Sequence, residues 1–310
     1  MHDLIIIGGG PAGITAGLYA ARYKLDTVLI EKAAFAGGQL LKTSLIENFP
    51  GFDEPVNGYE LAIKMEKQAV RFGLEVKKET VKKIELSEKV KKVKTENGND
   101  YEAKTLIIAT GSDPRMLGVP GEKEFYGRGV SYCGTCDAPF FKDKITAVIG
   151  GGNTAAEEAL HIAKYCSKVY VIHRRDELRA DKVLQEKVLA EKNIEIVWDT
   201  ILKKIDFNNP EGRRIIVFNK KTNKEKKIKV DGVFIFIGLN PNTALFKGQV
   251  DLTEDGFIAQ KPGEMMKTNI PGVFAAGDVR DKDLRQIVNA AGDGATAAFE
   301  ANKYLAEHNV

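Results

Sequence analysis

No run of the 310-residue chain approaches the roughly 20 consecutive apolar residues needed to cross a bilayer. The longest, such as residues 4–7 and 233–237, have the length of buried strands. Charge of one sign is not in excess: 46 basic against 43 acidic residues leave a net +3, which makes no case for nucleic acid. Cysteine is scarce, with three residues, too few to hold together a secreted chain of this size. Room for a leader is missing as well, because Met1, His2 and Asp3 run straight into a strand. The chain therefore reads as cytoplasmic. What is present, 43% apolar residues and 30 glycines, is the composition of a globular protein. At about 150 residues each, its length suggests two domains.

The same device occurs twice. A continuous apolar strand at 4–7 leads into Gly8-Gly9-Gly10-Pro11-Ala12-Gly13, an alanine-rich helix to about Tyr23, and a second strand ending at Glu31. This strand, turn, helix, strand, acid order raises a GxGxxG above chance. Gly8 permits the tight turn, Gly10 lets backbone approach a pyrophosphate, and Gly13 lets the helix sit close to the strand. Glu31 is placed to accept from both hydroxyls of an adenosine ribose, as in FAD or NAD. The device returns with a strand at 145–149 and Gly150-Gly151-Gly152-Asn153-Thr154-Ala155. Gly8 to Glu31 and Gly150 to His173 both span 23 positions, so His173-Arg174-Arg175 falls where Glu31-Lys32 stands in the first copy. Guanidinium groups there match a 2′-phosphate, which assigns this site to NADPH, with Arg179 as a third contact. Thr110-Gly111 and Gly238 end strands where a cofactor can approach backbone.

Two of the cysteines form Cys133-Gly134-Thr135-Cys136, followed by Asp137. The spacing closes a small disulfide ring, and an adjacent acid suits thiol exchange, in which a leaving thiolate must be protonated. Zinc would need His161 and Cys166 as well. Five positions apart on a helix, these lie about 140° apart, which suits one metal poorly. Residues 58–72 read as an amphipathic helix burying Leu61, Met65, Ala69 and Phe72. Residues 81–103 read as antiparallel strands with a turn at Asn97-Gly98. The lysine-rich stretches at 77–94 and 220–229 read as solvated hairpins.

On these motifs, together with Gly37-Gly38-Gln39-Leu40, Glu47-Asn48-Phe49-Pro50-Gly51, Ala109-Thr110-Gly111, residues 173–180 and Gly272-Val273-Phe274-Ala275-Ala276-Gly277-Asp278, the chain resembles the low-molecular-weight, bacterial-type thioredoxin reductases. These belong to the FAD-dependent pyridine nucleotide-disulfide oxidoreductases. The resemblance runs end to end. It implies an α/β fold of two Rossmann-like domains: a discontinuous FAD domain at 1–113 and 244–310, with an NADPH domain carrying the cysteine pair inserted at 114–243.

It further implies FAD at Gly8, Gly10, Pro11, Ala12, Gly13, Glu31, Lys32, Gly38, Gln39, Leu40, Asn48, Thr110, Gly111, Gly277, Asp278, Arg285, Gln286 and Ile287. NADPH is expected at Gly150, Gly152, Asn153, Thr154, His173, Arg174, Arg175, Arg179 and Gly238. NADPH would reduce the flavin, the flavin would reduce the Cys133–Cys136 disulfide through Cys136, and Cys133 would attack thioredoxin, with Asp137 moving the proton. Another disulfide acceptor, such as a peroxiredoxin, a glutaredoxin-like protein or a small disulfide, is the alternative. A non-catalytic redox sensor would leave Asp137 and both cofactor sites without purpose. A homodimer is also implied. Because disulfide and nicotinamide share the inserted domain yet must both reach one flavin, a rotation is expected about hinges near Asp113-Pro114 and residues 240–243. Gly134 stands where alanine is more usual in the family, and Ala138-Pro139 where many relatives have glycine.

Overall fold

The computed structural model describes residues 1–308 other than 44, 88, 261 and 262. It divides into two compact units, Met1–Asp113 with Asn240–Val310, and Pro114–Leu239.

In the first unit, strand His2–Ile7 lies between Thr27–Glu31 and Asp100–Ile108, parallel to both, and Glu75–Lys78 adds outside Thr27–Glu31. All five side chains of Thr27–Glu31 are buried, which explains a run with no alternation. Asp100–Ile108 is long enough to serve two sets of neighbours within one seven-stranded sheet. Its first half pairs antiparallel with Lys91–Thr95, and its second half pairs parallel with Val273–Ala275. The alternation at 81–103 therefore folds as expected, and its last strand runs on without a break to Ile108.

Helix Pro11–Arg22 has proline at its first position and buries eight residues, most of them small. The C-terminal helix Ile287–Glu307 brings Ala297, Ala298 and Ala301 into the same apolar cluster. Helix Gly58–Arg71 starts at Asn57, whose side chain accepts from the Tyr59 and Glu60 amides, a cap worth about 1 kcal/mol. Leu61 and Ala69 are buried as expected. Phe72 is not: it lies past the helix end, 36% exposed, with the guanidinium groups of Arg22 and Arg71 each 5.1 Å from its ring centre. Lys91 departs from the solvated-lysine reading. It is fully buried, its ammonium 5.9 Å from the centre of the Tyr304 ring.

The second unit has a five-stranded parallel sheet in the order Ile194–Val197, Lys168–Ile172, Ile145–Gly150, Gly232–Phe236, Val130–Ser131. An antiparallel sheet of Thr200–Asp206, Arg214–Asn219 and Lys224–Lys229 packs into the same cluster through Leu202, Ile205, Ile215, Val217 and Ile228. Lys224–Lys229 exposes every residue but Ile228, as a solvated hairpin should. Helices Asn153–Ala163 and Lys182–Ala190 cover the parallel sheet with Ala155, Ala159, Ile162 and Val188.

The segments that join the units, Ser112–Pro114 and Leu239–Pro241, pair as a two-stranded sheet. The return crossing lies at 239/240 rather than 243/244, because Thr243 is buried in the first unit with its hydroxyl donating to Gly256 O at 2.8 Å. Among the described residues no helix is long and apolar enough to cross a membrane.

Candidate active site

The first glycine turn is packed backbone against backbone. A Cβ on Gly13 would stand 1.8 Å from Gly8 O, and one on Gly8, where φ is +102°, would stand 2.4 Å from Ala109 O. Only glycine brings helix and strand this close. Gly10 precedes Pro11 at the helix N-terminus with no side-chain cap, and Gly38 faces it, since a Cβ there would lie 3.0 Å from Gly10 Cα. Ala12 touches the position a Cβ on Gly277 would take, at 2.9 Å. The Glu31 carboxylate accepts from Gly9 N at 2.6 Å and Ala33 N at 2.7 Å. It braces the turn, and each oxygen keeps a lone pair for a ribose hydroxyl. Lys32 is exposed beside it.

Around this turn the remaining first-site residues form linked groups. Gln39 donates to Ser112 O and Asp113 Oδ1, and Asp113 also receives Lys42 and Asn242. These donors hold the Asp113 carboxyl below its ordinary pKa against the opposing effect of burial. Thr110 donates to Asn242 O, and Gly111 accepts from Asn242 N. Leu40 and Ile287 pack into one apolar cluster, and Asn48 donates to Gln286 at 3.0 Å. The Arg285 guanidinium lies 4.6 Å from the centre of the Phe257 ring.

Asp278 tests whether the site fits a flavin dinucleotide. Its buried Oδ1 has a long ion-pair contact with Lys282 at 3.5 Å but no hydrogen bond of ordinary geometry, and burial pushes its carboxyl up against the nearby Lys282 and Arg285 charges. A buried acceptor so weakly satisfied, close to an uncapped glycine turn, is what a polyhydroxylated, pyrophosphate-bearing cofactor would satisfy. Beneath it, Asp293 receives Gly277 N, Arg280 at 2.8 Å and Lys282 at 3.0 Å. That support escaped the sequence reading, since nothing in a helical Asp293 tells it from a surface carboxylate.

In the second unit, Gly150 is wedged between strand and helix: a Cβ would meet Phe236 O at 2.4 Å and Ala155 Cβ at 2.6 Å. Gly152 caps helix Asn153–Ala163 with nothing within 4 Å of where its Cβ would stand. Asn153 exchanges two hydrogen bonds with Asp181, and Thr154 is exposed on the first turn. His173 lies inside. Its ring nitrogens are 2.9 Å from Gly150 O and 3.1 Å from Glu177 O, and burial pushes its pKa down. It acts as a strut under the turn. Arg174, Arg175 and Arg179 are exposed, free of ion pairs among the described residues, and fit a phosphorylated ribose. Gly238, with φ +113°, accepts from Arg115 N at its strand end.

Cys133 and Cys136 are joined in a disulfide, with Cα atoms 5.3 Å apart. Cys133 caps the turn Gly134–Asp137, and its sulfur accepts from Cys136 N at 3.2 Å. Ser131 fixes the approach, accepting from Cys133 N and donating to Cys133 O. Burial pushes the Asp137 carboxyl up, an effect that Ser131 opposes, and the acid follows Cys136 directly in the chain. His161 and Cys166 take no part. Cys166 is buried and donates to Phe141 O, and His161 packs beside Tyr165.

Residues 2–294 match the family described as pyridine nucleotide-disulphide oxidoreductase. A thioredoxin reductase of Rickettsia bellii is 46% identical over 97% of each chain. One from Streptomyces coelicolor is 44% identical over 99% of this chain and 94% of its own. The crystal structure of thioredoxin reductase from Streptococcus pyogenes superposes with a TM-score of 0.91 at 45% identity, covering 99% of both chains. With two dinucleotide folds, a paired CxxC and these relatives, the chain belongs to the pyridine nucleotide-disulphide oxidoreductase family, as an FAD- and NADPH-dependent enzyme similar over nearly its whole length to thioredoxin reductases.

Proposed function

We propose that the protein reduces the disulfide of a thioredoxin at the expense of NADPH. The observation that carries this is the Cys133–Cys136 disulfide capped on its own helical turn, with the raised Asp137 carboxyl next to it. Bound FAD and NADPH supply the electron pair that opens that disulfide. The residues around Gly8, Gly10, Gly13, Glu31 and Asp278 hold FAD, and Gly150, Gly152, Arg174, Arg175 and Arg179 hold NADPH. Once the pair is open, the Cys136 N–H stabilises a thiolate on Cys133, which attacks the thioredoxin disulfide. Cys136 then closes on the mixed disulfide, and Asp137 protonates the sulfur that leaves. This reading includes a turn of the inserted unit about its two linkers between exchanges, since both the cysteines and the second glycine turn lie in Pro114–Leu239. A crosslink locking the units is expected to cut turnover by at least about 10-fold while FAD stays bound; undiminished turnover would remove that element.

Anaerobic titration of the purified protein with NADPH tests the core of the reading. Uptake is expected to approach four electrons per flavin, two for the flavin and two for the disulfide, and thioredoxin is expected to discharge them. Saturation at about two would separate the cysteines from the flavin. Discharge by a peroxiredoxin or small disulfide but not by thioredoxin would reassign the acceptor. The same reading places the protein in the cytoplasm and makes it a homodimer; the dimer is supported by large apolar side chains left exposed on helices of the first unit, among them Tyr19, Val70, Val288 and Phe299. Sedimentation of this preparation at the mass of one 34.1 kDa chain would remove the dimer.

A further inference from the structure

Glu158 lies on helix Asn153–Ala163, half-buried, and its Oε2 has no hydrogen-bond partner. That oxygen occupies the place a side chain at 134 would take: a Cβ on Gly134 would stand 1.9 Å from it. The backbone at 134 is helical, so conformation does not call for glycine there. What the missing side chain leaves is room, and the end of the flexible Glu158 side chain fills it. Burial pushes the Glu158 carboxyl up to about 7; the Thr135 amide opposes this, the Glu157 charge adds to it and the Gly134 amide opposes it. No cation is among the groups acting on it. On the same helix His161 stands one turn on, its pKa pushed down by burial and by the Lys164 charge, while the Asp137 carboxyl at the end of the cysteine turn interacts with Ser131.

We infer that Glu158 is a positioning residue for the redox pair, seated in the space that Gly134 leaves, and that its carboxyl sets how readily Cys133 and Cys136 lose their protons once the disulfide is open. Gly134 and Thr135 are the two residues between the cysteines, so a charge held against their amides lies within a peptide or two of both sulfurs. An ionised carboxylate there raises the cost of a thiolate, and a protonated one relieves it. The amides that Glu158 faces belong to the same turn whose N–H supports Cys133, so the carboxyl competes with the sulfur for one patch of positive potential. The inference rests on the redox role given to the pair above.

The test uses the full-length holoenzyme with its disulfide opened by a phosphine reductant, so that the flavin route is not needed, and follows the rate of alkylation by iodoacetamide against pH. In Glu158→Gln, the rate is expected to reach half its maximum about one pH unit lower than in the native protein, which is about tenfold faster alkylation on the acid limb. Gly134→Ala should move the profile the same way, because its Cβ displaces the carboxyl. In a Glu158→Ala background, Gly134→Ala should change nothing further. A Glu158→Gln profile identical to the native one, with the visible flavin band intact, overturns the inference. So does a Gly134→Ala effect of equal size in both backgrounds. Failure of NADPH to open the native disulfide would strike the proposed function instead and leave these profiles readable.

Discussion

Replacing Cys136 by serine is expected to lower NADPH-dependent thioredoxin reduction by roughly 10³-fold or more, with the flavin still bleached by NADPH and electron uptake falling to about two per flavin. The size follows from what is lost. Serine cannot form the disulfide that links the two half-reactions, and no other described thiol can substitute, since Cys166 is buried in its own cluster. Cys133→Ser should cost as much, but the two variants differ in what they trap. Cys133 has the better-supported thiolate, because its sulfur accepts the Cys136 N–H at 3.2 Å. A Cys136→Ser chain reduced and mixed with oxidised thioredoxin should therefore accumulate a mixed disulfide through Cys133, visible on a non-reducing gel. Accumulation in Cys133→Ser instead would exchange the roles of the two sulfurs. Full turnover in either variant would mean that the pair is not in the electron path.

Neutralising Arg174 and Arg175 together should raise the KM for NADPH by about 100-fold and leave that for NADH almost unchanged. A charge-assisted hydrogen bond is worth about 1.5–3 kcal/mol. The low end applies here because the guanidinium groups are exposed, giving roughly tenfold for each. The double variant should fold normally, since neither side chain makes an ion pair or hydrogen bond among the described residues, and the strut beneath them is His173, held by Gly150 O and Glu177 O. Steady-state kinetics with both nucleotides checks this. An unchanged preference for NADPH would place the 2′-phosphate elsewhere, with Arg179 the next residue to replace.

Much of this was legible in the sequence because the chemistry is local there. Each glycine turn with its flanking strand and helix fits within about 30 residues, and Glu31 and His173 stand at equal spacing from their turns. The CxxC with Asp137 is contiguous. What escaped are contacts between distant segments. The Asp113 hub joins Gln39 to Asn242, and Asp293 reaches back to Gly277. Glu158 meets Gly134 only once helix and turn are packed. His173 aligned with a ribose-binding acid by count, yet a pattern of spacings cannot say that its ring turns inward. Phe72 satisfied the helical period but fell one residue past the helix, where packing no longer holds it.

The paired linkers, Ser112–Pro114 against Leu239–Pro241, carry a consequence for how the protein is made. The first unit closes its sheet only when Val273–Ala275 reaches Asp100–Ile108, and it covers helix Pro11–Arg22 only when Ile287–Glu307 arrives. The whole of Pro114–Leu239 must leave the ribosome before either can happen. At about 5–20 residues per second, the N-terminal half-sheet waits on the order of ten seconds with one edge bare. The inserted unit, complete in its own right, emerges and can fold during that wait. Its ends come out side by side, so a finished insertion brings the two halves of its host back together as a short loop would. The middle of the chain is thus the first part able to fold, and it shortens the search left to the two ends.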